Sequence, residues 1–161
     1  MYLLDSNIFI DAKNRAYGMD FCPAFWDWLL LEHSRGFLGS VDTVKKELLK
    51  QQDELSQWAK VAPSSFFPQL TETGLVELKH IAEYITTKGY SLAERESFLD
   101  KADSFLIAQA KAEKHIVVTH EQSAPNGKRI KIPDVCSAFG VACRSIYDVI
   151  RESNARFVLK P

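Results

Sequence analysis

The chain opens with Met1-Tyr2-Leu3-Leu4-Asp5-Ser6-Asn7-Ile8-Phe9-Ile10, and this stretch decides the predicted fold. A short apolar run that stops at Asp-Ser-Asn is typical of a buried strand followed by the start of a helix. Ile8, Phe9 and Ala12 continue the pattern at helical spacing. We therefore expect a first strand whose carboxyl end carries an acid, Asp5.

Further strands are predicted along the rest of the chain, separated by helices. The strands are expected at 37–39, 115–119 and 141–145, and the helices at 24–33, 40–48, 72–87, 92–113 and from 147 onward. Apolar strands that alternate with helices indicate a parallel sheet covered by helices. No linker, repeat or low-complexity tract divides the chain, so we predict a single α/β domain over residues 1–161.

Composition excludes several protein classes. The 161 residues are 46% hydrophobic and 25% charged, which argues against disorder, a collagen-like repeat and a disulfide scaffold. The formal net charge of −1 gives no overall basic field, although residues 126–161 carry +4 and residues 1–125 carry −5. A local basic patch for nucleic acid therefore remains open.

Cysteine usage and hydropathy give an expected location. Cys22, Cys136 and Cys143 are widely spaced without a CxxC pair, which predicts reduced thiols rather than a zinc or disulfide site. The N-terminus has no basic leader, and no apolar run approaches the ~18 residues of a membrane helix. We expect a cytoplasmic protein without a membrane span.

Acidic side chains follow two of the predicted strands. Asp5 ends the first strand, and Glu121 lies two residues beyond Thr119. Because parallel strands present their carboxyl ends at one edge, and ligands bind there at the switch point of the strand order, both acids are candidates for a site. For Asp5 alone, a helix N-cap is an equally strong interpretation.

Two further acids join this set from predicted helices. Asp103 lies within ~60° of an apolar stripe on the helical wheel, formed by Leu99, Leu106, Ile107 and Ala110. Such a carboxylate needs a partner, which is an Arg, a backbone cap or a metal ion shared with other acids. Glu47 lies at the margin of an apolar stripe, and alone it would be a solvated surface residue. Four acids without an evident cationic partner favour Mg²⁺ or Mn²⁺.

Common catalytic motifs are absent from the sequence. There is no GxxxxGK[ST], GxGxxG, GxSxG, HExxH or zinc-deaminase pattern. These absences leave the four acids as the strongest indication of chemistry in the chain.

The order and spacing of these acids resemble the PIN domains, a family of small metal-dependent ribonucleases. The four similar segments are Leu4–Ile10, Ser40–Leu48, Ala102–Ala110 and Val117–Glu121, where the family usually has Asp at the position of Glu121. The resemblance extends over residues 4–121, and the opening and the tail around residues 130–136 are similar to a branch related to VapC-type toxins.

The resemblance implies a fold, an activity and partners. The fold would be a three-layer α/β/α sandwich with a four- or five-stranded, mainly parallel sheet. The activity would be two-metal hydrolysis of RNA phosphodiester bonds by the toxin of a toxin–antitoxin pair, with an antitoxin as partner and, by analogy, a homodimer. Asp5, Glu47, Asp103 and Glu121 would hold Mg²⁺ or Mn²⁺, and Asn7 and Thr119 would orient waters or the acids.

Basic and aromatic side chains offer a means of holding RNA. Candidate phosphate contacts are Lys13, Arg15, Lys128, Arg129 and Lys131, for which ordinary solvation is an equal alternative. Base stacking is conceivable for Trp26, Trp28, Phe66 and Phe67, but their spacing favours a place in the core.

Two other functions compete with the ribonuclease. The first is a non-catalytic PIN-like module that binds RNA or a protein. The second is a phosphate-handling α/β domain such as a phosphatase or a receiver, although the DxD pattern of such phosphatases has Asn7 in place of its second Asp.

Overall fold

Four short parallel strands form the centre of the protein. The computed structural model describes residues 1–158, and in that range the strands are β1 (Tyr2–Leu4), β2 (Leu38–Gly39), β3 (Ile116–Val118) and β4 (Cys143–Arg144). They form one sheet in the order β2-β1-β3-β4, and each neighbouring pair is parallel. The predicted parallel sheet is confirmed, with four strands.

Helices cover both faces of this sheet. Within residues 1–158 they are α1 (Ser6–Asp11), α2 (Pro23–Ser34), α3 (Asp42–Leu49), α4 (Glu54–Val61), α5 (Glu72–Thr86), α6 (Leu92–Asp100), α7 (Ala102–Ala112), α8 (Ile132–Phe139) and α9 (Ile146–Glu152). A π-helical segment, Ala12–Ala16, continues α1, and a 3-10 turn spans Ser64–Phe66. The protein is an α/β protein with a three-layer α/β/α architecture, as predicted. Across the described range, no helix could serve as a membrane span.

The strand order sets the switch point between β1 and β3. The chain passes from β1 to β2 on one side, and β3 and β4 lie on the other side. Leu4 pairs in register with Val118, and the amide of Asp5 donates to the carbonyl of Val118 at 3.0 Å. Residues that follow these two strands therefore lie side by side where ligands bind in open α/β sheets.

The core contains the strands and most of the aromatic side chains. Leu4, Val117 and Val118 have no exposed surface. The aromatic residues considered for either base stacking or the core are also buried, namely Trp26, Trp28, Phe66 and Phe67. Burying an apolar side chain such as Phe is worth about 1.5–3 kcal/mol. Their interpretation as core residues is confirmed, and none of them is available to stack on bases.

The single helix predicted over 92–113 is wrong, because the chain breaks at Lys101. This residue is extended (φ −86°, ψ 164°), so α6 ends before it and α7 starts after it. Leu99 therefore lies on a different helix from Asp103, while the remaining predicted neighbours are buried on α7, namely Leu106, Ile107 and Ala110. The break puts Asp103 in the first turn of α7, where backbone amides lack intrahelical acceptors.

The helix predicted from Ser40 begins two residues later, and Ser40 does not cap it. The residue at the N-cap is Val41, whereas Ser40 is fully buried and its Oγ donates to the carbonyl of Leu4 at 2.6 Å. A buried hydroxyl takes the nearest acceptor, which here belongs to β1 rather than to its own helix.

Two other segments have more structure than predicted. Between the helices predicted at 40–48 and 72–87 lies α4, with Asp53 as its cap, whose side chain accepts from the Ser56 amide at 3.0 Å. Between the strands predicted at 115–119 and 141–145 lies α8, with Pro133 in its first turn. Cys22, Cys136 and Cys143 are free thiols, as predicted.

Candidate active site

Asp5 and Thr119 face each other across the switch point. Asp5 is 1% exposed, and the Thr119 hydroxyl donates to its Oδ2 at 3.0 Å. The same hydroxyl oxygen accepts from the amide of Glu121 at 3.1 Å. Asp5 follows β1, but no side-chain capping bond forms at α1. Thr119 therefore fixes the orientation of the Asp5 carboxylate and the course of the chain after β3.

Glu47 joins two elements that are distant in sequence. Its Oε1 accepts from the amide of Ala102 at 2.9 Å, and its Oε2 accepts from the hydroxyl of Ser6. The amide belongs to the start of α7, where a negative charge is favourable. Glu47 therefore fastens α3 to α7 and α1 rather than pointing into solvent.

Glu121 has a similar arrangement on the other side of the crevice. Its Oε2 accepts from the amide of Ile132 at 2.8 Å, at the start of α8, and its Oε1 lies 3.1 Å from Nζ of Lys131. Both oxygens of this carboxylate are thus engaged by the loop and helix that follow β3.

Asp103 lacks such partners. Within residues 1–158 no side-chain hydrogen bond or ion pair engages its carboxylate, although most of the residue is buried. Its pKa is raised to about 7, first by burial and then by repulsion from Asp5, Glu121 and Glu47, while Lys101 lowers it. The arginine or capping partner considered from the sequence is therefore not present in the described part of the chain.

Hydrogen bonds bring the four predicted acids close together, because Thr119 links Asp5 to the amide of Glu121, and Glu47 accepts from the residue before Asp103. The pKa of Asp5 is raised to about 6, first by burial and also by the charges of Glu121 and Glu47, while hydrogen bonds from Thr119 and from the Asn7 amide lower it. We call Asp5, Glu47, Asp103 and Glu121 the acidic cluster. Its members come from the ends of β1 and β3 and from α3 and α7, as the sequence predicted.

A cleft of about 210 Å³ opens beside the acidic cluster. Asp103 and Glu121 line it together with three cations, Lys101, Arg129 and Lys131. Two of these cations are among the predicted phosphate contacts. Lys101 was not predicted, and its signal in the sequence is its position just before Ala-Asp in the third acidic segment.

The other predicted phosphate contacts lie elsewhere. Lys13 forms an ion pair with Asp53, the cap of α4, and Arg15 lies 3.8 Å from Asp11. Lys128 lines a separate cleft with residues 88–91 and 125–127. Lys13 and Lys128 are therefore not found beside the acids, since α4 and the 123–131 loop direct them to other surfaces. Arg15 lines a different cavity, which also contains His120.

The two predicted supporting residues differ in their placement, and one residue that was not predicted contacts an acid. Thr119 orients an acid, as predicted, whereas Asn7 is exposed in the first turn of α1. Ser6 holds Glu47 and was not singled out, although the Asp-Ser-Asn turn contains it.

The donor atoms at the crevice suit a hard cation. Carboxylate and hydroxyl oxygens are the ligands of Mg²⁺ and Mn²⁺, and Mg²⁺ commonly uses one or two carboxylates together with waters and substrate phosphates. Over residues 1–158, no group of three or more His, Cys, Asp or Glu is already placed to hold a metal ion. Within residues 1–158 the carboxylates of Asp5 and Asp103 form no ion pair, and neither carboxylate fastens a second helix as Glu47 and Glu121 do. They fit this mode of binding.

A family model described as "Domain of unknown function (DUF4411)" matches residues 2–157. The chain belongs to the DUF4411 family. No PIN-domain model matches it, so the predicted membership of the PIN family and of its VapC-type branch is wrong. Comparison of this DUF4411 chain with curated proteins gives no match, and neither does comparison with solved structures.

The resemblance misled because its motifs are short and physically common. Acids that follow strands occur in many α/β proteins, since the switch point favours polar groups whatever the family. The α/β/α layers of the DUF4411 chain are likewise shared by many families. Its function therefore has to be inferred from its own side chains.

Proposed function

We propose that this DUF4411 protein is a metal-dependent hydrolase of phosphodiester bonds, with RNA as its substrate. The observation that carries the proposal is the state of Asp5 and Asp103. Both carboxylates are largely buried in one crevice with raised pKa values, and among residues 1–158 neither has an ion pair. A buried carboxylate without a cation is unfavourable, and a divalent cation would remove that cost.

The members of the acidic cluster have different tasks in this proposal. Asp5 and Asp103 would hold Mg²⁺ or Mn²⁺, while Glu47 and Glu121 fix the starts of α7 and α8 around them. When bound, the cation would lower the pKa of a water and offset the charge of the phosphate. Thr119 keeps Asp5 oriented toward the crevice. Direct ligation by the two glutamates and the two-metal form of the reaction stay predictions.

The cations of the adjoining cleft support a phosphate substrate. Lys101, Arg129 and Lys131 lie along the same cleft as Asp103, and contacts of this kind position a backbone without recognising its sequence. RNA rather than DNA is the substrate class that the PIN resemblance implied, and it stays a prediction. The toxin role, the antitoxin partner, the homodimer and the cytoplasmic location are also predictions that no contact in the structure addresses.

The test compares the wild type with Asp103→Asn and a matched control, Asp100→Asn, which changes an exposed acid at the end of α6. Labelled RNA and DNA of one sequence are incubated with Mn²⁺, Mg²⁺ or EDTA. We expect cleavage of RNA by the wild type and the control with either ion, none in EDTA, and a loss of at least about a hundredfold in Asp103→Asn. A rate for Asp103→Asn within twofold of the wild type, or cleavage in EDTA, would contradict the proposal.

A thermal melt supplies a readout that does not depend on finding the substrate. Mn²⁺ should raise the Tm of the wild type and of Asp100→Asn, since binding to the folded state alone stabilises it. It should leave the Tm of Asp103→Asn unchanged.

A non-catalytic binding module is the second candidate. It is favoured by Glu47 and Glu121, whose oxygens all serve hydrogen bonds or an ion pair within the protein. Three results together would establish this function. The wild type would not cleave RNA, Mn²⁺ would not raise its Tm, and Asp103→Asn would still bind RNA. The phosphatase or receiver alternative is disfavoured, because Asn7 stands where the DxD pattern of such phosphatases has its second Asp.

A further inference from the structure

A further cavity contains His120, the residue between Thr119 and Glu121, and the proposed hydrolysis makes no use of it. Its volume is about 260 Å³, and its floor is apolar, with Ile8, Phe25 and Ile146 fully or almost fully buried. Its walls include His120 and Tyr147. Pockets for drug-sized ligands start near 300 Å³, so this one suits a smaller group.

The chain places this cavity next to the candidate active site. His120 lies between Thr119, which holds Asp5, and Glu121. Ile8 is on α1, which begins directly after Asp5. A ligand bound in the cavity would therefore be a neighbour of anything held at the acidic cluster.

The walls suit a flat ring. The rings of His120 and Tyr147 have their centroids 6.2 Å apart, and Tyr147 is 46% exposed despite the apolar floor beside it. Tyr17 and Phe25 also line the cavity, and their rings are stacked with centroids 4.3 Å apart and an interplanar angle of 4°. An accessible aromatic ring over an apolar floor is a stacking surface for a nucleobase.

The rim supplies a donor and an acceptor at one edge. Asp11 and Arg15 both line the cavity, with 3.8 Å between their charged atoms. A carboxylate accepts from two adjacent N–H groups such as N1–H and N2–H of guanine, and Arg donates to guanine O6 and N7. The segment from Ala12 to Ala16 that carries Arg15 is π-helical, a distortion often found at functional sites.

We propose that this cavity binds a single nucleobase, guanine in preference to the others, and that the base belongs to the RNA strand whose phosphate lies at the acidic cluster. The role in RNA recognition rests on the proposed hydrolysis, whereas the binding of a base does not. The base stacks on Tyr147, and Asp11 and Arg15 contact its edge.

Base binding is tested with the four nucleoside 5′-monophosphates and ¹⁵N-labelled protein. GMP should shift the amide resonances of residues 11–16 and of His120 more strongly than AMP, CMP or UMP. Tyr147→Ala should weaken GMP binding about tenfold, and Asp11→Asn should abolish the preference for GMP over AMP. The matched control Phe21→Ala, an aromatic residue 66% exposed outside the cavity, should bind GMP as the wild type does.

Absence of shifts in residues 11–16, or an equal loss of binding in the Phe21→Ala control, would overturn the base pocket. The same spectra show that each variant is folded, so a loss of binding is not a loss of structure.

Maps of the cleavage sites show whether the bound base belongs to an RNA strand or to a free nucleotide. They also test the base pocket separately from the proposed hydrolysis. The 5′ ends produced by the wild type should share a guanine at one fixed position, and Tyr147→Ala should lose this preference. GMP binding without any cleavage by the wild type would keep the pocket and reject the hydrolase. Cleavage that depends on Asp103, with no GMP binding and an unchanged map in Tyr147→Ala, would keep the hydrolase and reject the pocket.

Discussion

The two glutamates and the two aspartates of the acidic cluster carry the same charge in the same crevice, yet they are held differently. Glu47 and Glu121 each accept from the amide at the start of a helix and from one further group. Asp103 has no such partner in the described chain, and Asp5 has the Thr119 hydroxyl. The pKa values of both aspartates are raised, mainly by burial. Each glutamate accepts a hydrogen bond from the first amide of a helix further along the chain.

This difference in hydrogen bonding separates the carboxylates that stabilise the fold from those that are free to bind a cation. A carboxylate that satisfies helix amides contributes to the fold, and its removal leaves donors without acceptors. A buried carboxylate without a cation destabilises the fold, and such groups are retained at functional sites. The first pair should therefore be needed for stability and the second pair for binding a cation.

The largest change in stability is expected from Glu47→Ala. It leaves the Ala102 amide and the Ser6 hydroxyl without acceptors, so the free energy of unfolding should fall by about 1–3 kcal/mol. Glu47→Gln removes the same charge but keeps an oxygen for the amide, and it should stay close to the wild type. Urea denaturation of the three proteins measures this, and equal values for the Ala and Gln variants would show that the hydrogen bonds do not matter.

The two aspartates should make the free energy of unfolding depend on pH. Their pKa values of about 6 and about 7 exceed the ordinary 3.8. The folded state therefore binds more protons than the unfolded state between these values, and the free energy of unfolding falls as pH rises from about 4 to about 7.

Asp103→Asn isolates the contribution of one aspartate to this fall. In EDTA its loss of stability between pH 4.5 and pH 8 should be smaller than that of the wild type by about 1–2 kcal/mol. Identical slopes in urea denaturation would mean that Asp103 is not buried among like charges.

A smaller effect is expected from Thr119→Val. The change removes a hydrogen bond that lowers the pKa of Asp5, so that pKa should rise above about 6. It also leaves the Glu121 amide without its acceptor, which should cost about 1 kcal/mol. Carboxyl NMR titration and thermal melts measure both. Thr43→Val is the control, because the Thr43 hydroxyl is buried without a partner and its loss should be neutral or stabilising.

The smallest effect is expected from Lys131→Met. The Lys131–Glu121 pair is partly exposed, and such pairs are worth about 0.2–1 kcal/mol. The Ile132 amide still holds Glu121, so the fold should be retained. A decrease above about 2 kcal/mol in urea denaturation, compared with the exposed pair variant Lys46→Met, would show that Lys131 rather than the helix start positions Glu121.

The parts of the site that follow from local pattern could be predicted from the sequence. Asp5 and Glu121 were identified because each follows an apolar strand, and parallel pairing brings strand ends together. Asp103 was identified by its apolar neighbours, and this result survives the helix break at Lys101 because its closest neighbours are on α7 itself.

The rest depends on contacts that no local pattern encodes. Glu47 reaches an amide 55 residues away, and Lys13 pairs with Asp53, 40 residues away, so their partners follow only from how the helices pack. The same holds for Ser40, whose buried hydroxyl bonds to β1 instead of capping α3. The family could not be predicted either, because short acidic motifs recur on unrelated folds.

The central place of β1 in the sheet has a consequence for synthesis on the ribosome. Asp5 and Thr119 are 114 residues apart, and at the usual rates of about 5–20 residues per second Thr119 is made roughly 6–23 s after Asp5. Until then one side of β1 has no neighbour, and such long-range pairing also slows folding. The acidic cluster is complete only after Glu121 and the start of α8 have emerged. A nascent chain therefore carries no assembled acidic cluster before this point in its synthesis.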